Sequence, residues 1–216
     1  MQPTHDSVQP SPSAADHWNA VYAAKPVDGV SWYRPHLDRS LAIIDSLALD
    51  RSVPIIDIGA GASTLVEDLL DRGYETITAL DVSDRALALV RDRIGPTSSQ
   101  VRWIVSDIRQ ASLERASVGL WHDRAVLHFL SAAEDRAMYA NIARTALRPG
   151  GHAIISGFAP NGPAKCSNME VVRASAEEIA ETLGPEFHLL RSETEMHRTP
   201  WGAEQAFAYA ICRRDG

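Results

Sequence analysis

Between residues 53 and 158, five short apolar runs alternate with helical patterns, and that alternation leaves few folds open. The runs are 53–58, 76–80, 101–105, 118–121 and 152–158. None has the strict apolar–polar alternation of a strand wetted on one face, so each reads as a strand buried on both. Helical patterns at 64–72, 83–94 and 132–147 stand between them. A fourth follows at 175–183, opened by Ser175 and Glu178 in a capping-box spacing and stopped by Gly184. Alternation of this kind implies an α/β fold, doubly wound around a mostly parallel seven-stranded sheet. The last two strand candidates, 187–192 and 205–212, have no helix between them. They must pair antiparallel, which makes the C-terminal strand the antiparallel one.

The region before this pattern is different in kind. Residues 1–15, rich in Pro, Ser and Gln, are expected to form a mobile tail, and 16–216 a single domain. A short helix fits 16–24 with Asp16 as its N-cap, and 25–35 is a loop broken by Pro26, Gly29 and Pro35. A second helix follows with Leu37, Leu41, Ile44 and Leu47 at helical spacing. The loop carries Val30, Trp32 and Tyr33. With Trp18, these aromatics are either anchors for the helices or a lid over a site, so 16–50 is taken as N-terminal helices and lid.

Charge and cysteine usage narrow the function classes. A formal net charge of -7 offers no broad phosphate-binding face, so a nucleic-acid partner is not expected. No apolar run approaches the roughly 18 residues that suggest a membrane span, and the first residues do not read as a secretory signal. Cys166 and Cys212 are too few for a disulfide framework and lack metal-site spacing. A cytoplasmic protein without metal or membrane partner is the expectation.

The chemistry gathers where strands end. The first strand runs into Asp57-Ile58-Gly59-Ala60-Gly61-Ala62-Ser63, where two glycines permit a tight turn and close approach of backbone N–H groups to a ligand. The third glycine of a dinucleotide fingerprint is absent after Gly61, which argues against a nicotinamide or flavin enzyme. Asp81 ends the second strand twenty positions beyond Gly61, placed to accept both ribose hydroxyls of an adenosyl group. Asp107 and Asp123 follow at the ends of the third and fourth strands. A ring of four carboxylates disfavours a phosphate ligand and tolerates a cationic sulfonium with its ribose.

Asp57 to Gly61, Asp81, Asp107 and the turn Leu147-Arg148-Pro149-Gly150-Gly151 together resemble the class I S-adenosylmethionine (SAM)-dependent methyltransferases, from about residue 53 onward. The resemblance implies that Gly59 and Gly61 contact the methionine part of SAM, and that Asp57 orders the turn or the methionine amine. It implies that Asp81 with Val82 holds the ribose and Asp107 with Ile108 the adenine edge, and that Trp32 and Asp123 also face the cofactor. S-adenosylhomocysteine (SAH) is the implied product. Trp121-His122-Asp123-Arg124-Ala125 and the N-terminal aromatics are similar to the thiopurine methyltransferase-like branch, which carries Trp-Asp-Arg-Gly at that place; His122 is inserted here and Ala125 replaces the glycine. A related Asp-Lys-Gly pattern occurs in some seven-strand protein lysine methyltransferases.

That leaves a small-molecule acceptor, most simply a thiol or other soft heteroatom, as the leading reading. A protein lysine is the alternative, and a SAM-binding regulatory protein without turnover is a second. Asp123, His122 and His128 are the catalytic candidates, because an amine or thiol must lose a proton. His128 also fits as an ordinary packed histidine, and Arg124 as a simple partner for Asp123. Cys166 is an idle thiol, or a ligand for a soft substrate.

Overall fold

The structure, a computed structural model, describes residues 13–215. The helix α1 (Ala14–Ala24) starts earlier than Asp16. Ser13 is the N-cap, and Asp16 completes a capping box by reaching back to the Ser13 N–H. Residues 13–15 therefore belong to the helix and not to the expected tail, of which 1–12 lie outside the described residues.

The remaining elements follow the sequence pattern closely. They are α2 (Asp38–Ser46), β1 (Ile55–Ile58), α3 (Leu65–Asp71), β2 (Ile77–Asp81), α4 (Asp84–Ile94), β3 (Val101–Val105) and β4 (Val118–Arg124). Then come α5 (Ala133–Ala146), β5 (Leu147–Phe158), the short strands β6 (Lys165–Cys166) and β7 (Met169–Glu170), α6 (Ala176–Leu183), β8 (Phe187–Arg198) and β9 (Glu204–Arg214). The glycine turn at 147–151 forms the start of β5, and β8 runs well past residue 192. The β6–β7 hairpin has no counterpart in the sequence reading. Its two turn residues, Ser167 and Asn168, both take positive φ (49° and 64°), as a tight hairpin turn requires.

Seven strands form one sheet in the order β3-β2-β1-β4-β5-β9-β8. All pairs from β3 to β5 are parallel, and β9 is antiparallel to both β5 and β8. This is the expected mostly parallel sheet with an antiparallel C-terminal strand. Period-2 side chains feed two cores: Ile55 and Leu120 point to the face covered by α2, α3 and α4, and Ile56 and Trp121 to the face of α5 and α6. Strand order reverses between β1 and β4, and the carboxyl ends of the strands open there.

Candidate active site

Two adjoining cavities sit at that opening. The larger, about 240 Å³, is lined on one side by Gly59, Asp81, Val82, Asp107 and Ile108, and on the other by Trp18, His128, Phe129, Phe158 and Cys166. The smaller, about 60 Å³, lies over Asp57, Gly61, Arg34 and His122. Tyr22, Trp32, Gly59 and Arg124 line both.

The glycine turn can be built from nothing else. Gly59 and Gly61 have φ of +64° and +55°; a Cβ on Gly59 would stand 2.0 Å from Val126 Cγ2, and one on Gly61 2.6 Å from Tyr22 Oη. Arg93 of α4 secures the far side of the turn by donating to the Ala62 and Ser63 carbonyls. Asp81 secures the near side: Oδ2 accepts from Gly61 N–H at 2.8 Å and Oδ1 from Ser83 N–H at 2.7 Å. Burial pushes this carboxyl up to about 6 against those two donors. The Ser83 hydroxyl in turn donates to Asn19 of α1, so α1 is docked beside Asp81.

The four strand-end carboxylates do not form one ring, because neighbours along a strand point to opposite faces. Asp57 faces α2, where its Oδ1 lies 2.7 Å from His122 Nδ1. Asp123 faces α5 with no exposed surface and accepts from Val126 N–H, Leu127 N–H and Tyr139 O–H, the last at 2.6 Å. Asp123 therefore fixes the turn after β4 and lines neither cavity, which corrects its expected catalytic and cofactor-binding roles. Burial raises it to about 6, and its three donors are all internal. Arg124 points away from Asp123 and is not its partner. Its Nη1 donates to the Trp32 carbonyl at 3.2 Å, and its Nη2 is buried without a partner among the described residues. Asp107 is held by Arg109 through both oxygens, and that hydrogen bonding keeps it below the usual carboxylate range.

His122 is likewise not a base at the site: it is 1% exposed and bonded at both ring nitrogens, to Asp57 and to Ser40 Oγ. His128 does line the larger cavity, with neither nitrogen partnered among the described residues. Burial first, and the Arg124 charge second, drop it to about 3, so it is neutral near pH 7 and too weak a base to hold a proton there. Cys166, on the hairpin, reaches the same wall, and burial raises its thiol to about 11. Trp18 packs edge-on against Trp32 and Phe129 at 5.5 and 5.3 Å, closing the cavity from α1.

Residues 55–151, which supply the glycine turn and all four strand-end carboxylates, match the family model of a methyltransferase domain. That span is similar to a methyltransferase domain and covers just under half of the chain. Its sheet order and antiparallel strand are those of the class I, SAM-dependent methyltransferase fold, and solved structures agree. One, reported for the conversion of a disulfide bond into a thioacetal group during echinomycin biosynthesis, superposes with TM-score 0.75 at 17% identity, covering 93% of this chain and 92% of that one. A second, the Burkholderia thailandensis 1,6-didemethyltoxoflavin-N1-methyltransferase with SAH bound, gives 0.66 at 21% identity over 83% and 78%. Among curated proteins, the eEF1A lysine and N-terminal methyltransferase of Danio rerio is 24% identical over 58% of this chain. The match spans only 18% of that relative's length.

The residues of the site fit SAM on their own atoms. The amino-acid end needs an anion for its ammonium and donors for its carboxylate. The smaller cavity offers Asp57 together with Arg34 and Arg124, and Asp57 Oδ2, Arg34 Nε and Arg124 Nη2 are all buried without partners among the described residues. Sequence reasoning missed both arginines and the Tyr22 hydroxyl. Among the described residues no cluster of His, Cys, Asp or Glu could hold a metal, and no helix is long and apolar enough to cross a membrane.

Proposed function

We propose that this chain transfers a methyl group from SAM to a small molecule bearing a thiol or another soft heteroatom, as the resemblance to the thiopurine methyltransferase-like branch implies. The observation that carries the acceptor class is the charge on the acceptor wall. Trp18, His128, Phe129, Phe158, Cys166, Met169 and Phe207 supply no carboxylate, and Arg124 is the cation among them. A lysine ammonium meets a like charge on this wall, and His128 is too weak a base to take its proton. A thiol, with a reference pKa of about 8.5 against about 10.4 for lysine, arrives partly ionised and meets a cation that favours the thiolate.

SAM, when bound, supplies a methyl group activated by its sulfonium charge. Asp57 would receive the ammonium, Arg34 and Arg124 the carboxylate, and Asp81 the ribose hydroxyls. Val82 and Ile108 would flank the adenosine, and Asp107, held by Arg109, would receive its amino group. Trp18 and Trp32 exclude water, and rate comes from holding the nucleophile in line with the methyl carbon. A structure described for sulfur chemistry among the neighbours supports this reading. The two free, buried thiols suit a reducing cytoplasm.

A protein lysine or N-terminal amine is the second reading, and the curated relatives favour it. Incubation with methyl-labelled SAM and a panel of thiols, amines, phenols and lysate proteins separates the two. Label on small thiols supports the proposal, and label on lysate protein with every small thiol inert overturns it. SAH binding with no transfer to anything assigns a regulatory role.

A further inference from the structure

Three buried side chains from distant parts of the chain line up behind the smaller cavity. Ser40 of α2, His122 of β4 and Asp57 of β1 are 0%, 1% and 2% exposed. His122 Nδ1 lies 2.7 Å from Asp57 Oδ1, and His122 Nε2 lies 2.9 Å from Ser40 Oγ. In the tautomer that donates to the carboxylate, Nδ1 carries the proton and Nε2 accepts from the serine hydroxyl. A Ser–His–Asp array usually ends in a nucleophile, but here the serine is sealed under α2. The open end is the other one: Asp57 Oδ2 has no partner among the described residues and belongs to a residue lining the smaller cavity.

We propose that Ser40, His122 and Asp57 form a positioning chain that fixes the Asp57 carboxylate toward the donor's amino group and couples that contact to α2. The proposal rests on the SAM reading above. A carboxylate at a strand end has a broad, soft χ2 torsion, so its orientation must be imposed from outside. His122 imposes it from β4, the strand across the point where strand order reverses. Ser40 holds His122 in turn from α2, which follows the Trp32–Arg34 segment lining the smaller cavity. An ammonium that completes Asp57 Oδ2 thereby stiffens the helix and the segment closing over the donor. Neither His122 nor Ser40 touches donor or acceptor, and both act through Asp57.

Two ligands separate positioning from general support of the fold. SAH carries the amino-acid end, and 5′-methylthioadenosine shares the adenosine and thioether but lacks it. Calorimetry on wild type, Ser40→Ala, His122→Leu and His122→Asn gives the readout. Loss of the imposed orientation should weaken SAH about threefold in Ser40→Ala and about tenfold in His122→Leu, while methylthioadenosine stays within about twofold throughout. His122→Asn keeps an N–H near the Nδ1 position and should recover most of the SAH affinity. Wild type that binds neither ligand overturns the SAM reading itself. Wild type that binds both, with variants that lose neither ligand or lose both alike, overturns the positioning chain alone. Should His122→Leu fail to fold, Ser40→Ala and His122→Asn still decide.

Discussion

Cofactor affinity should depend most steeply on Asp81, and the dependence should follow pH. Burial holds this carboxyl at about 6, and Gly61 N–H and Ser83 N–H each occupy one oxygen from the protein side. On the proposed SAM reading the lone pairs left over would serve the larger cavity, where each ribose hydroxyl would contribute about 1.5–3 kcal/mol as a hydrogen bond to a charged acceptor. Binding therefore selects the ionised form, and a proton competes with the ligand. Affinity is full above pH 6 and falls as pH drops through it, by up to about tenfold per pH unit. Asp81→Asn removes the charge and turns an amide N–H toward one of the two backbone donors. The cost at pH 7.5 should be about 2–3 kcal/mol, or about 30- to 150-fold in affinity. Calorimetry with methylthioadenosine isolates the effect, since this ligand makes no use of Asp57. Wild-type affinity unchanged from pH 7.5 to 5, or the same slope retained in Asp81→Asn, refutes the assignment of the ribose to Asp81.

Three further outcomes follow from the same geometry. Gly59→Ala combines positive-φ strain with a 2.0 Å clash on Val126 and should cost upward of about 2 kcal/mol in chemical denaturation; adding Val126→Ala should return the steric part and leave the backbone part. Burial holds His128 at about 3 when folded, against an ordinary value of about 6.5, so the unfolded chain takes the proton first and stability is lost as pH falls below 6.5. Between pH 6.5 and 5, His128→Leu should lose about 1.5–2 kcal/mol less stability than wild type, and equal losses would show that His128 is not buried neutral. Amide exchange across residues 14–35 should slow when SAH binds, because α1 and Trp32 close the cavities; unchanged protection there would leave those aromatics as static anchors.

Much of the fold was legible because strands buried on both faces and separated by helices admit essentially one architecture. Gly59, Gly61, Asp81, Val82, Asp107 and Ile108 line the cavities from their positions at strand ends. Of the catalytic candidates, His128 lines the larger cavity and His122 the smaller, while Asp123 lines neither, and the reason is the period of the strand. Proximity in sequence suggested an Asp123–Arg124 pair, yet β4 sends Trp121 and Asp123 to α5 and His122 and Arg124 to α2. Trp121, Tyr139 and Asp123 form one buried chain there, with Trp121 Nε1–H donating to Tyr139 Oη at 2.9 Å. The β6–β7 hairpin was invisible because its strands are two residues long, too short for any pattern. Ala125 replaces the glycine of the similar branch and still takes φ of 77°, so the turn survived a substitution that sequence alone read as a departure.

The two walls of the larger cavity come from separate stretches of the chain. The donor wall is written within residues 58–109, inside the span matching the methyltransferase domain, and most of the acceptor wall comes from α1, Trp32, the β6–β7 hairpin and Phe207 outside it. The flanks also reach the donor side, where Asn19 accepts from Ser83 beside Asp81, Tyr22 stands over Gly61 and Ser40 bonds to His122. Selection for a new acceptor in such a molecule can act on Trp18, Cys166, Met169 and Phe207, which line the acceptor wall and take no part in those donor-side bonds.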